Sequence, residues 1–329
     1  MTGGMNMFKT RMTELLKIKY PIMQGGLHNL GRPELAAAVS NAGCLGTINF
    51  SNYDTVDEFH QAIKQTKALT DKPFCVNVST ATQSLSPGEK MYDCFQVIMD
   101  EKVAAVEISG LMPEAFVPSL KKAGVKILHK VPAARFAEKA QRVGADAAII
   151  VGVESAGRPS LEAVTTMVVA NKAASLVTIP VLAAGGIADG KGLVAALALG
   201  AEGVVMGTRF IATTECAIHP NFKEMYVKAS EKDTVLVQRS IQNQMRVMAN
   251  DVTRKSDEME KRDASREELL SLLTLEGTRR CQANGDINGI MFATGQAVGL
   301  VHEIKPVKEV IEDIIQEAQS VMARLNTVV

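Results

Sequence analysis

Two short runs in the middle of the chain carry the residue types that hold a phosphate. AAGGIADG (183–190) places adjacent glycines, Gly185 and Gly186, where a backbone must come close to an anion, with Asp189 as a cap for the next helix. MGTRF (206–210) adds Gly207 and the Thr208 hydroxyl. Together they offer a cradle of N–H donors that needs no lysine. The competing reading is that these glycines only make tight strand-to-helix turns.

Other candidates stand at regular intervals along the chain. Lys130 closes the run LHK and would place a fixed cation at a site mouth, beside Asn77 and Gln24, which both donate and accept hydrogen bonds. Such a cation stabilises the negative charge of a reduced flavin ring, whose imide edge suits amide partners. A lysine there could instead form a Schiff base, as in barrel lyases. His28 is the best candidate for an acid or base, His129 alternates away from the mouth into the core, and His219 shapes a helix entry before Pro220. His60 and His302 carry no signal, and no H-E-x-x-H or Cys/His cluster suggests a metal.

These residues need a scaffold, and the sequence supplies a recurring one. A helical stretch ends in Gly and runs into a short apolar strand at AAAVSNAGCLGTI, LKKAGVKILHK, KAQRVGADAAIIV and VAALALGAEGVVMG. Eight strands are expected, near Ile22, Gly46, Val76, Val106, Ile127, Ile149, Leu182 and Val204. Alternation of strands with helices implies a parallel sheet, and eight units imply a (β/α)8 TIM barrel. Every candidate above then lies at a strand's C-terminal end or in the loop after it. A doubly wound sheet is the rival, weakened by the lack of a G-x-G-x-x-G turn after the first strand.

The pattern changes after Phe210. HPNFKEMYVKAS, VLVQRSIQNQMRVMAN and SREELLSLLTLEG read as amphipathic helices without strand signals. Residues 1–215 and 285–329 are therefore expected to form the barrel, and 216–284 a helical insertion after strand eight, serving as a lid or small domain. The charged run RKSDEMEKRDASREE reads as a solvated helix face, and the stretch 305–325 as the barrel's last helix.

Composition limits the partners. The 329 residues carry 36 acidic and 36 basic side chains, so no basic excess points to nucleic acid or an anionic membrane. No apolar segment is long enough to span a bilayer, and the N-terminus lacks a signal-peptide pattern. Five dispersed cysteines without a C-x-x-C pair read as reduced thiols, which leads to an expectation of a cytoplasmic protein with a small-molecule substrate. Oligomeric state is left open, a homodimer included.

The motifs PIMQGG, KPFCVNV, LHK, ESAGRP, the whole run 183–210, ATTECAIHP and ATGQAVGL stand in an order that resembles the nitronate monooxygenase (2-nitropropane dioxygenase) family. The resemblance spans nearly the whole chain and is strongest to its NADH:quinone reductase branch. It implies an FMN-dependent barrel enzyme. Met23, Gln24, Asn77 and Lys130 would contact the flavin, and Gly157 would lie close to it. Ala184, Gly185, Gly186, Gly207 and Thr208 would hold the phosphate, and Gln296 would return near the ring.

One position departs from the family. Where its catalytic His usually follows the Gly of the strand-six loop, this chain has Arg158. Arginine is no general base near neutral pH but can hold an anion. Oxidation of an alkyl nitronate by dioxygen is therefore the expected activity, with NAD(P)H:quinone reduction at the same flavin as the alternative and NADH or NADPH as co-substrate. Enoyl-thioester reduction, a Schiff-base lyase through Lys130 and a flavin-binding protein with little catalysis remain open.

Overall fold

A computed structural model describes residues 8–80 and 89–328. The first seven residues of the N-terminal stretch read above lie outside the described residues. Eight parallel strands form the sheet: β1 (Ile22–Gln24), β2 (Gly46–Asn49), β3 (Phe74–Ser79), β4 (Ala105–Ser109), β5 (Lys126–Val131), β6 (Ala147–Val151), β7 (Val181–Ala184) and β8 (Gly203–Met206). Their order is β1-β8-β7-β6-β5-β4-β3-β2, and the ends approach through a parallel bridge between Met23 and Leu45. This is the expected (β/α)8 barrel, with every strand near its expected centre.

The strand that closes the seam is short, and a side chain completes it. Gln24 Nε2 donates to Thr47 O at 2.8 Å, Thr47 N–H donates to Gln24 Oε1 at 3.2 Å, and Thr47 Oγ1 donates to Gln24 O at 2.6 Å. The amide thus replaces ladder bonds that a longer β1 would supply.

Inside the barrel the lower layers are apolar. Met23, Leu45, Cys75, Ala105, Leu128, Ala147 and Leu182 pack there, and Met12 and Leu16 of the helix Arg11–Leu16 plug the bottom. Gly203 is required by that plug, because a Cβ there would sit 2.1 Å from Met12 Sδ. Nearer the strands' C-terminal ends the interior turns polar on one side, at Thr47, Asn77, Glu107, Ser109 and Lys130. The last helix, Val307–Leu325, lies against Gly190–Ala198 so closely that a Cβ on Gly190 would meet Ile314 O at 2.4 Å. That contact makes it the eighth barrel helix. All five cysteines are free and buried.

Between Thr213 and Lys305, which pair in an isolated parallel bridge, the chain makes its excursion. It contains the helices Pro220–Lys228, Asp251–Lys261, Arg266–Leu270 and Leu275–Asn284. The charged run lies on the second and third of these, largely exposed. One expectation is corrected here. VLVQRSIQNQMRVM is no helix but an antiparallel hairpin, β9 (Thr234–Val237) with β10 (Met245–Met248). Its apolar residues fit both periodicities, and the choice falls to the connection, where Gln238 and Gln242 adopt left-handed φ of 58° and 55°. Val237 and Val247 then bury against Met291.

Candidate active site

A cavity of about 990 Å³ opens over the C-terminal ends of the barrel strands and is roofed by Met245, Leu273, Met291 and neighbours from the insertion. The strand-end position follows from the fold, since loops after parallel strands converge there.

On the polar side, Asn77, Ser109 and Lys130 line the wall from three adjacent strands. Asn77 Nδ2 donates to Ser109 Oγ at 3.1 Å. Lys130 Nζ stands 3.3 Å from a Glu107 carboxylate oxygen below the floor. Gly26 makes room for this arrangement, because a Cβ there would lie 2.4 Å from Asn77 Cγ.

Across the cavity the glycine loops stand as expected. Gly185 and Gly186 take φ of 109° and 73°, and a Cβ on Gly185 would sit 2.9 Å from Thr166 Oγ1. Gly207 and Thr208 line the cavity beside them, with the Thr208 hydroxyl accepting from Gly295 N–H at 3.1 Å. Glu154 lines the cavity beside this cradle, but its carboxylate is engaged. Its carboxylate caps the helix Thr166–Ala174, accepting from Thr166 N–H at 2.9 Å. The anion donors are thereby left to the loops after β7 and β8. Open backbone donors at one end, with the Lys130 cation and the Asn77 amide at the other, fit flavin mononucleotide's phosphate and ring.

Arg158 lines the cavity from the loop after β6 and, among the described residues, makes no hydrogen bond or ion pair. Partial desolvation and the nearby Arg266 guanidinium lower its pKa from the usual arginine value, yet it stays charged near neutrality. The loop is held by the insertion: Gly157, at φ 71°, pairs with Arg246 of β10 in an antiparallel bridge. Arg246 also donates from Nε to Val153 O at 2.8 Å.

His28 lines the cavity, its Nδ1 2.9 Å from Ser51 Oγ. Ser51 Oγ donates to Asn49 Oδ1 at 2.6 Å, and that oxygen also accepts from Ser51 N–H. The hydroxyl proton is therefore committed, His28 Nδ1 must be the donor, and Nε2 keeps its lone pair. Desolvation, then the Arg279 and Arg158 charges, push the imidazole pKa below 6.5. His129 faces away as expected, donating from Nε2 to Gly110 O at 2.9 Å.

Some expected residues stand apart. Met23 and Gln24 are fully buried in the wall, and Gln24's amide is engaged at the barrel seam. Gln296 is anchored by its own N–H on Glu154 O at 2.9 Å, between the lining residues Gly295 and Ala297. Sequence reasoning missed Glu107 and Arg246. A charge inside the otherwise apolar run AVEIS was the available signal for Glu107; Arg246 had none.

Among the described residues no cluster of His, Cys, Asp and Glu could hold a metal, and no helix is long and apolar enough to cross a membrane. The sequence pattern of the family described as nitronate monooxygenase matches residues 9–317. A Rhodococcus jostii protein named (3aS,4S,5R,7aS)-5-hydroxy-7a-methyl-1-oxo-octahydro-1H-indene-4-carboxyl-CoA dehydrogenase is 30% identical, over 95% of this chain and 97% of its own length. A probable nitronate monooxygenase of Staphylococcus saprophyticus is 29% identical, over 96% and 99%. The structure of FabK from Thermotoga maritima superposes with a TM-score of 0.90 at 41% identity, over 98% and 99% of the two chains.

Proposed function

The chain belongs to the nitronate monooxygenase family of FMN-dependent oxidoreductases, and from that premise we propose that it oxidises anionic alkyl nitronates with dioxygen as the final electron acceptor. The observation that carries the proposal is Arg158, a charged guanidinium facing the cavity with no protein partner among the described residues. An uncompensated cation at the position of the family's usual base favours a substrate that arrives as an anion.

FMN, when bound, supplies the two-electron acceptor. The residues of this chain do the rest. Gly185, Gly186, Gly207 and Thr208, with Ala184 behind them, would hold the phosphate, while Lys130 and Asn77 would face the ring. Met23 and Gln24 would support the floor under it, and Gly157 and Gln296 would border it from the loops. Arg158 would grip the nitronate oxygens and set the carbon over the ring. A nitronate has already lost its proton, so no base is needed at residue 158. His28, neutral and with Nε2 unprotonated, is the group that would take a proton where one must move.

A second reading has its own support. The similarity to the carboxyl-CoA dehydrogenase and to FabK, together with Arg158 on the cavity wall, favours a thioester substrate with an anionic tail, reduced or oxidised at the same flavin.

The test is anaerobic mixing of the purified holoenzyme with propionate 3-nitronate, NADH or NADPH while flavin absorbance is followed. Bleaching by the nitronate, and recovery on admitting dioxygen, is the expected result. Bleaching by a nicotinamide alone reassigns the chain to quinone reduction, or to thioester chemistry if crotonyl-CoA then restores the colour. A yellow protein reduced by none of them is a flavin carrier with little catalysis.

A further inference from the structure

Beneath the cavity floor the barrel encloses a carboxylate that no step above uses. Glu107 stands in β4 between Ala105 and Ser109 on the inward face and is fully buried. Its Oε1 lies 3.3 Å from Lys130 Nζ and accepts from Ser109 Oγ at 3.4 Å, while Oε2 has no hydrogen-bond partner. Burying such a group is costly, and an apolar pair of similar volume would fill the same space at less cost. The position of the pair supplies a reason for keeping it. Glu107 is closed off from solvent, but the Lys130 side chain is 32% exposed and lines the cavity. The ammonium therefore has the carboxylate on one side and the flavin's place on the other.

The same carboxylate reaches a second cavity group. Ser109 Oγ, in donating to Glu107, is left to accept from Asn77 Nδ2 at 3.1 Å. That fixes which end of the Asn77 amide is engaged in the wall and leaves its Oδ1 for the cavity. Asn77, Ser109 and Lys130 are thus all oriented by one buried charge.

We propose that Glu107 is the positioning residue of the flavin site: it holds Lys130 and, through Ser109, Asn77 in place, and it offsets the Lys130 charge so as to set the flavin's reduction potential. The proposal rests on the FMN reading. A lone lysine would stabilise the anionic reduced flavin fully, whereas a lysine paired from below stabilises it less. Glu107 thereby keeps the potential lower than Lys130 alone would make it.

The experiment is a double-mutant cycle read by the midpoint potential of the bound flavin. Glu107→Gln keeps the shape and removes the charge. It should raise the potential by about 30 mV or more, a tenfold change in the two-electron equilibrium. Lys130→Met should lower it, and the doubly neutral Glu107→Gln/Lys130→Met variant should return toward the parent value. A Lys130→Met protein that fails to fold leaves Glu107→Gln and the double variant to decide. A buried pair with only a structural role would change the melting temperature and leave the potential alone. An unchanged or lowered potential in Glu107→Gln overturns the proposal while the FMN reading stands. A parent chain that takes up no FMN overturns both.

Discussion

Arg246 and Gly157 are joined by two backbone hydrogen bonds, Arg246 N–H to Gly157 O at 2.7 Å and Gly157 N–H to Arg246 O at 3.0 Å. The pairing ties the insertion's hairpin to the barrel loop that carries Arg158, so the roof and Arg158 are parts of one unit. The Arg246 side chain strengthens the tie, donating to Val153 O at 2.8 Å and to Thr234 Oγ1 at 3.0 Å.

Arg246→Ala should therefore do more than lighten a loop. It removes two largely buried bonds from a charged donor and leaves a carbonyl unpaired, a loss of about 2–4 kcal/mol. Denaturant unfolding should show that loss. The Michaelis constant for the nitronate should rise several-fold as the loop loosens, while FMN affinity, proposed to rest mainly on the loops after β7 and β8, should change less. A variant as stable as the parent would show that the hairpin is pinned elsewhere.

Arg158→Ala tests the anion site. A charge-assisted hydrogen bond is worth about 1.5–3 kcal/mol, which corresponds to about 10- to 100-fold in substrate affinity. The Michaelis constant for propionate 3-nitronate should rise by that factor, and that for a neutral quinone should change little. Arg158→Lys should recover part of the loss, since it keeps the charge but not the forked geometry. Equal effects on charged and neutral substrates would remove Arg158 from substrate recognition.

His28 makes a different claim, about pH. Its pKa is depressed below 6.5, so the ring is neutral at pH 7 and gains its proton only as the pH falls through the depressed value. Any turnover of a neutral nitroalkane, which must first lose a proton, should then fade on the acid side and be absent in His28→Gln. Turnover of the preformed nitronate should persist in both. A neutral nitroalkane consumed equally well by His28→Gln would place the base elsewhere.

These residues were not equally legible in the sequence. The strands were, because apolar runs covered on both faces announce themselves and glycines such as Gly200, at φ 89°, end the helices before them. The glycine cradle and Lys130 were legible because strand order alone puts them at the mouth. The hairpin was not: Val237, Ile241, Met245 and Met248 make a helical stripe while Val235/Val237 and Met245/Val247 alternate as in strands, and the left-handed glutamines that decide the matter have no strong local signature. Arg246 was hidden for another reason. Its partner Gly157 lies 89 positions away, and nothing local marks a pairing set by how the insertion folds back. Glu107 was visible as a charge in a strand, but its meaning came only with the distance to Lys130.

Gln24 shows how a residue expected at the site can serve the fold. Family resemblance puts it at the flavin, and the structure shows its amide joining β1 to Thr47 through a donor at 2.8 Å and an acceptor at 3.2 Å, fully buried. Gln24→Leu keeps most of the volume but strands the Thr47 N–H and C=O inside the seam. Each unsatisfied group costs about 1–3 kcal/mol, so a loss of about 2–5 kcal/mol is expected, large against the total stability of a domain. Thermal unfolding of the apoprotein should show it directly, because no cofactor contributes there. FMN affinity, measured well below the melting temperature, should fall less than stability does. If the apoprotein melts unchanged while FMN affinity collapses, Gln24 belongs to the cofactor and the seam is held by the Met23–Leu45 bridge and the Thr47 hydroxyl on the Gln24 carbonyl.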